Sequence, residues 1–181
     1  ALHIHDRRQR QMCIRDRIYV NQTGGQDELV FDGTSSVINK QGDVTIELKS
    51  FATDSIQFNH EEINNSSINE KTSNRLKDLY DSLVLATKDY VEKNNFKGVL
   101  IGSSGGIDSA LTATIATDAL GSEKVRTIMM PFKYTADISI NDAALLAKNL
   151  KINHQEIPIE KVYEAHMSLS LIHISEPTRR T

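Results

Sequence analysis

The sequence predicts an α/β protein built on a parallel sheet, with an antiparallel hairpin ahead of it. Two patterns predict this fold. After residue 97, short apolar strands alternate with helices of about 10–15 residues, which is typical of right-handed β–α–β crossovers. Before residue 58, strands and turn residues alternate without helices. The fold class is therefore a parallel α/β domain preceded by a β-hairpin.

The hairpin is expected at residues 35–39 and 44–51. In its second strand apolar side chains alternate with polar ones, starting at Val44, which predicts one buried face. Gly42 supplies a permissive position for the turn between the two strands.

Three segments around the hairpin have different characters. The stretch NQTGGQDE, residues 21–28, is rich in turn residues and lies between two short apolar runs. Residues 59–74 are polar and contain only two isolated isoleucines, which predicts an exposed linker. From Arg75 the apolar residues recur at helical spacing, and Asn94 is expected to end that helix.

The parallel sheet is expected to hold three strands, each followed by a helix. The strands are predicted at residues 98–101, 125–130 and 154–159, and the helices at residues 107–120, 140–150 and 161–166. Gly121 suits the residue that follows a helix. Ser139 to Asp142 resemble a capping box that opens the second helix.

The loop after the first strand is almost free of side chains. It reads GSSGGIDS, residues 102–109, and ligands of such sheets bind beyond the carboxyl ends of the strands. Its glycines allow close approach of the backbone to a ligand, and Ser104 and Ser109 add hydroxyl donors. The helix that starts at Ile107 aims free N–H groups and its positive end at the same point. This pocket suits a phosphate or pyrophosphate.

The residue sequence of the loop excludes two more common types of phosphate-binding loop. A Walker A loop needs Lys followed by Ser or Thr, but Ile107 and Asp108 follow the last glycine, and no register supplies G-x-G-x-x-G. An acid beside a polyphosphate requires a cation between them, and Mg²⁺ fits because it binds carboxylate and phosphate oxygens. Alternatively, the loop is only a strand–helix turn, with Asp108 complementing the helix dipole.

The two ends of the chain do not resemble coding sequence. QMCIRDR, residues 11–17, and LSLIHI, residues 169–174, back-translate to an inverted repeat that resembles a translated sequencing adapter. We therefore expect residues 1–17 and 169–181 to be artefacts. The only cysteine, Cys13, falls in the first of them, so no thiol chemistry is expected from the body of the chain.

Charge and hydropathy exclude several classes of function. The chain carries a net charge of −3, and the two ends contribute +3 and +1, which leaves −7 on residues 18–168. An acidic body argues against nucleic-acid binding, and no apolar run has transmembrane length. A cytoplasmic location without membrane association is the default expectation.

The motif SGGIDS, residues 104–109, resembles the pyrophosphate loop of the N-type ATP pyrophosphatases. With the flanking DYVEKNNFKGVLIG, VRTIMMPFKYTADIS and EIPIE, it is similar to the NAD⁺ synthetase family. The upstream stretch YVNQTGGQDELVFDGTSSV resembles the end of the nitrilase-like glutaminase domain of the glutamine-dependent members.

The resemblance implies a domain organisation. Residues 18–58 would be the β-hairpin remnant of an α/β/β/α nitrilase-like glutaminase domain, residues 59–74 a linker, and residues 75–168 the N-terminal half of an adenine-nucleotide α-hydrolase-like synthetase domain. The glutaminase Glu, Lys and Cys would lie upstream of residue 18. We therefore expect no complete catalytic cycle from this chain alone, and a homo-oligomer for the full-length protein.

The resemblance also implies a reaction and a site. With ATP and Mg²⁺, deamido-NAD⁺ is adenylated and pyrophosphate leaves; ammonia, supplied directly or from glutamine, then displaces AMP to give NAD⁺. Asp108 would bind the metal. The residues that would hold the β- and γ-phosphates are Ser104, Gly105, Gly106, Ile107, Asp108 and Ser109. Rival hypotheses are a GMP synthetase-like enzyme, a tRNA thiolase and a non-catalytic nucleotide-binding module.

The sequence departs from the family at Ser103, where an apolar residue is usual, and at residues 132–133 and 136. Met129 and Met130 are expected in the core, although Met130 could contact adenine. Lys133 could reach a nucleotide phosphate, but a solvated loop position is favoured. The histidines His60, His154 and His166 show no metal-ligand spacing and are expected at the surface.

Overall fold

The computed structural model describes residues 15–64 and 74–174, with the backbone alone at residue 64 and from residue 170 onward. Contacts within the chain divide it after Asn94 into two compact units. The centre of the predicted linker, residues 65–73, and the outer parts of both predicted artefacts, residues 1–14 and 175–181, lie outside the described residues.

The first unit holds two small antiparallel sheets and a long helix. The strands and helix are β1 Arg17–Tyr19, β2 Thr23–Gln26, β3 Leu29–Asp32, β4 Ser36–Ile38, β5 Val44–Glu47 and α1 Arg75–Lys93. One sheet has the order β1-β4-β5, and the other is the hairpin β2-β3. A short 3₁₀ helix, His60–Asn64, precedes the long helix.

The predicted hairpin at residues 35–51 is confirmed as β4 and β5, which pair antiparallel. The prediction of which side chains of β5 point inward was only partly right. Thr45, predicted to point outward, is 2% exposed, and its hydroxyl donates to the carbonyl of Val37. That hydrogen bond removes the cost of burying the hydroxyl.

The turn-rich stretch at residues 21–28 contains a strand that its composition did not predict. Thr23 to Gln26 form β2, and its register places Gly24 opposite Phe31 and Gly25 opposite Val30. Glycine is unfavourable in isolated strands, so this strand depends on its neighbours. The turn itself is confined to Asp27 and Glu28.

Helix α1 begins and ends where the sequence predicted. The side chain of Asn74 accepts from the N–H of Lys77, which caps the start of the helix. Asn94 follows the last helical residue, and Asn95 takes a left-handed conformation with φ 57°. Asparagine tolerates this conformation better than most residues, which explains the stop.

The second unit is the predicted parallel α/β layer. Strands β6 Val99–Gly102, β7 Val125–Met129 and β8 Asn153–Glu156 pair in the order β6-β7-β8, all parallel. The helices are α2 Ile107–Leu120, α3 Asp137–Leu150 and α4 Glu160–Ile174. The core is built from small and branched residues of α2, β7, α3 and the segment between α3 and β8, namely Ala113, Ala116, Val125, Ala147 and Ile152.

Two predicted boundaries in this unit were wrong. The proposed capping box does not open α3, because the helix already begins at Asp137 after Ala136, and no side chain caps it. Ser139 lies in the first turn, and its N–H donates to the carbonyl of Ala136. The third strand is also shorter than predicted, since β8 ends at Glu156.

His154 is not the surface residue that the sequence suggested. It lies opposite Thr127 in the β7–β8 register, and its Nδ1 is 2.9 Å from the Thr127 hydroxyl oxygen. Its Nε2 is buried without a partner among the described residues. The other two histidines, His60 and His166, are exposed as expected.

The described parts of both ends continue regular structure. Arg17 pairs with Ile38 in the β1–β4 register, and Asp16 lies 3.2 Å from Nε2 of His60. At the other end α4 continues to Ile174. None of the described helices has both the length and the apolarity needed to cross a bilayer.

Candidate functional site: the loop between the first parallel strand and its helix

The candidate phosphate loop, residues 102–109, joins the carboxyl end of β6 to the start of α2. The β6–β7 ladder continues one step beyond the strand, since the N–H of Ser103 donates to the carbonyl of Ile128 at 2.8 Å. Ser103 is buried, whereas Ser104 is exposed. The sheet therefore anchors the loop up to Ser103 and then presents it to solvent.

Gly105 is the point at which the loop meets a second helix. Its φ is 77°, which is a conformation that favours glycine. A Cβ atom at this position would overlap the backbone carbonyl of Ser139, in the first turn of α3. By contrast, a Cβ atom at Gly102 would meet nothing within 4 Å. The loop is thus packed tightly on one side and open at Gly102.

The two serine hydroxyls of the loop are bonded within it. The Ser109 hydroxyl donates to the carbonyl of Gly106 at 2.9 Å and accepts from the N–H of Ser104 at 3.2 Å. The two hydroxyl oxygens are 3.2 Å apart, and the Ser104 oxygen accepts from the N–H of Gly106 at 3.2 Å. These bonds give the loop a defined shape before any ligand binds.

The start of α2 presents free donors at the same place. Gly106 precedes the helix without a side-chain cap, and within the described residues no acceptor faces the N–H groups of Ile107, Asp108 and Ser109. A helix N-terminus carries about half a positive charge. Free donors and a positive end together favour an anion.

Asp108 is an exposed carboxylate in the first turn of α2. In the part of the chain that is described, no cluster of three or more His, Cys, Asp or Glu side chains could hold a metal on its own. A cation at Asp108 would therefore need its other ligands from phosphate oxygens and water. Mg²⁺ is commonly bound in that way.

Met130 and Lys133 follow the carboxyl end of β7, which is the strand next to β6. Met129 is buried as predicted, but Met130 is 53% exposed, so its predicted place in the core was wrong. The strand ends at Met129, and Met130 leaves the sheet with the loop. Lys133 is exposed, and its Nζ lies 5.6 Å from the ring centre of Phe132 and 5.1 Å from that of Tyr134.

Sequence reasoning missed two neighbours of this region. Ser139 contacts the loop through its backbone, so its side-chain type carried no signal. Tyr163 of α4 packs on Phe132, with ring centres 4.7 Å apart. The aromatic residue at 132, where the sequence departs from the family it resembles, was the available signal for such a contact.

Comparison with known proteins agrees with this geometry. A family model described as NAD synthase matches residues 79–178, which include the whole loop. The glutamine-dependent NAD(+) synthetase of Acinetobacter baylyi is 40% identical over 153 residues, which cover 83% of this chain and 28% of that protein. The enzyme of the same name from Synechocystis is 43% identical over 78% of this chain and 26% of its own length.

A solved structure gives the same result. The glutamine-dependent NAD⁺ synthetase of Acinetobacter baumannii, solved in complex with ADP, is 35% identical and has a TM-score of 0.84. The match covers 97% of this chain and 35% of that one, so the chain spans about a third of its relatives or less. The matched family model includes β6, the candidate phosphate loop and α2, and on this basis the chain belongs to the NAD synthase family.

Proposed function

We propose that this chain is part of a glutamine-dependent NAD⁺ synthetase and that its phosphate loop binds the β- and γ-phosphates of ATP. The observation that carries the proposal is the loop itself. In a member of the NAD synthase family, it presents free backbone donors and a helix N-terminus at the carboxyl edge of a parallel sheet.

In the proposed reaction, negative charge develops on the departing pyrophosphate, next to the N–H groups at the positive end of α2. The carboxylate of deamido-NAD⁺ attacks the α-phosphorus of ATP, and the bond to the bridging oxygen breaks as pyrophosphate leaves. The N–H groups of Ile107, Asp108 and Ser109 stabilise the charge that develops on the departing group. Because the loop is already shaped by its own hydrogen bonds, little reorganisation is needed during the step.

Asp108 is the residue we propose for Mg²⁺. It is exposed beside the free donors, and its carboxylate would repel a polyphosphate unless a cation lay between them. When bound, Mg²⁺ neutralises phosphate charge and orients the leaving group. Lys133, at the end of the neighbouring strand, is proposed to contact a nucleotide phosphate, and Met130 the adenine. The exposure of both side chains supports these roles.

The domain organisation predicted from the sequence remains part of the proposal. Residues 18–58 would close a glutaminase domain, and residues 75–168 would open the synthetase domain after a linker at 59–74. Glutamine would then be hydrolysed upstream, and its ammonia would displace AMP from the adenylated intermediate. The similarity of residues on both sides of the linker to glutamine-dependent enzymes supports this division.

The test is NAD⁺ formation by the full-length protein that carries this segment. Deamido-NAD⁺, ATP and Mg²⁺ are supplied with either ammonia or glutamine, and NAD⁺, AMP and pyrophosphate are quantified. We expect the three products in equal amounts with both nitrogen donors. Amidation of xanthosine monophosphate or thiolation of tRNA, without NAD⁺ formation, would favour the rival hypotheses.

A further inference from the structure

A second cluster of polar contacts lies in the first unit. Asp89 Oδ2 accepts from the N–H of Gly25 at 2.8 Å, and Lys93 Nζ donates to the carbonyl of Gly25 at 2.7 Å. Lys93 Nζ also lies 2.8 Å from Asp89 Oδ2. Two side chains one helical turn apart thus bind both backbone groups of one strand residue; we call Gly25, Asp89 and Lys93 the Gly25 clamp.

The clamp replaces strand partners that the hairpin lacks. Among the described strands, β2 and β3 pair only with each other, and a two-stranded hairpin alone is marginally stable in water. The N–H and carbonyl of Gly25 would otherwise remain on an open edge. Helix α1 therefore completes the hydrogen bonding of the hairpin at this position.

The glycines of β2 are what allow the helix to come so close. A Cβ atom at Gly25 would lie 3.4 Å from the Cα of Ala86, and one at Gly24 would lie 2.7 Å from Asp89 Oδ2. Gly24 also has a φ of 135°. This accounts for the glycine pair that the sequence placed in a turn-rich stretch.

Asp89 is ionised and partly shielded. Its side chain is 19% exposed, and burial by itself raises the pKa of the carboxyl. The hydrogen bonds from Lys93 and Gly25, with the charges of Lys93 and Lys88, outweigh burial and bring the pKa of Asp89 below its ordinary value. The clamp is therefore a charge-assisted contact.

The clamp joins the two sides of the proposed domain boundary. The hairpin belongs to residues 18–58, which resemble the glutaminase tail, whereas Asp89 and Lys93 lie inside the NAD synthase match that starts at residue 79. Only six positions further along the chain, Val99 begins the strand that leads to the phosphate loop. Helix α1 is therefore held by one segment and continuous with the other.

We propose that Asp89 and Lys93 are positioning residues that hold the hairpin Thr23–Asp32 on helix α1, and that glutamine-dependent NAD⁺ formation requires this hold whereas ammonia-dependent formation does not. The proposal rests on the proposed function. Ammonia added to the solution bypasses the segment that the hairpin belongs to. Ammonia released from glutamine, by contrast, has to pass from the glutaminase segment to the synthetase segment. This transfer requires the two segments to stay in place relative to each other.

The chain offers a matched control on the same helix. Lys77 and Asp81 form an ion pair with the same four-residue spacing, and neither side chain has a hydrogen bond to the hairpin. Asp81→Ala therefore removes the same type of pair without touching Gly25. Asp89→Asn keeps an acceptor for the Gly25 N–H but loses the charge that attracts Lys93.

The first measurement is the ratio of glutamine-dependent to ammonia-dependent turnover in the full-length protein. Asp89→Ala should lower this ratio on the order of tenfold, because small displacements remote from the chemistry can cost that much. Asp89→Asn should recover part of it, and Asp81→Ala should leave it unchanged. An unchanged ratio in Asp89→Ala, including an equal loss of both activities, would overturn the proposal.

The second measurement does not depend on activity. Amide hydrogen exchange across residues 23–32 should become faster in Asp89→Ala and stay at the wild-type rate in Asp81→Ala. Unchanged protection of the Gly25 amide in Asp89→Ala would show that the clamp does not hold the hairpin. A wild-type protein that forms no NAD⁺ with ammonia would instead refute the proposed function. The amide hydrogen exchange rates would in that case still show whether the clamp holds the hairpin.

Discussion

The hydroxyl oxygens of Ser104 and Ser109 lie 3.2 Å apart across the phosphate loop. Since the Ser109 hydroxyl donates to the carbonyl of Gly106, the proton shared between the two oxygens comes from Ser104. Neither hydroxyl proton is then free for a ligand in this arrangement. The backbone N–H groups are the donors that remain, and the serines shape the loop that presents them.

Replacing Ser109 by alanine should therefore weaken ATP binding by disordering the loop. The change removes bonds to the Ser104 N–H, the Ser104 hydroxyl and the Gly106 carbonyl. We expect affinity to fall on the order of tenfold, which corresponds to about 1.4 kcal/mol and so to the net contribution of about one of these bonds. Isothermal titration calorimetry with ATP would measure this. Thr114→Ala, which removes a hydroxyl bond to Ala110 further along α2, should leave affinity unchanged.

Gly105→Ala should destabilise the second unit. The added Cβ would overlap the Ser139 carbonyl, and the residue would have to keep a φ of 77°. Strain of this kind costs about 1–3 kcal/mol. Urea unfolding followed by circular dichroism gives the free energy of unfolding. Gly102→Ala, where a Cβ meets nothing within 4 Å, should stay close to wild type; equal losses in both variants would contradict the contact.

Asp108→Ala should make ATP binding insensitive to magnesium. With Mg²⁺ present, we expect at least about a tenfold loss of affinity relative to wild type, and with EDTA no loss. The comparison requires calorimetric titrations of both proteins under both conditions. Asp142→Ala removes another exposed acid of the same unit and should behave as wild type. A non-catalytic nucleotide-binding module would show equal affinities for Asp108→Ala and wild type in Mg²⁺.

The Gly25 clamp predicts how stability depends on pH. The pKa of Asp89 is lowered on folding, so its contribution is complete above the ordinary value of 3.8 and is lost as pH falls below it, through the folded-state pKa. Wild type should therefore lose more unfolding free energy than Asp89→Asn between about pH 5 and pH 2. Urea titrations across this range would test the difference. Identical curves for wild type and Asp89→Asn would contradict the clamp.

Helix α1 and the parallel layer could be predicted from the sequence because their signals are local. Helices α1 and α2 were placed within a residue by periodicity, by the glycines before α2 and by the asparagines after α1. The position of the candidate phosphate loop between β6 and α2 followed from its residue types and from its place after a strand. Strand β2 could not be predicted, because glycine is unfavourable in strands and the side chains that bind Gly25, those of Asp89 and Lys93, lie more than 60 positions away.

The predictions for the start of α3 and for the surface position of His154 were wrong for a related reason. A capping motif competes with the path of the preceding loop, and the hydrogen bond from the Phe132 N–H to the Thr135 hydroxyl helps set that path. For His154, the partner is on the neighbouring strand, 27 positions away. The first contact is local, but it depends on how the loop folds, and the second joins residues that no short window of sequence contains.

The pairing of His154 with Thr127 has a practical consequence for spectroscopy. The chain has six histidines, and the ring of His154 on β8 contacts Thr127 on β7, with one nitrogen hydrogen-bonded and the other buried. Its imidazole protons therefore sense an environment that exists only while β7 and β8 are paired. A single ring resonance in a proton spectrum could thus follow the assembly of the parallel sheet in unlabelled protein.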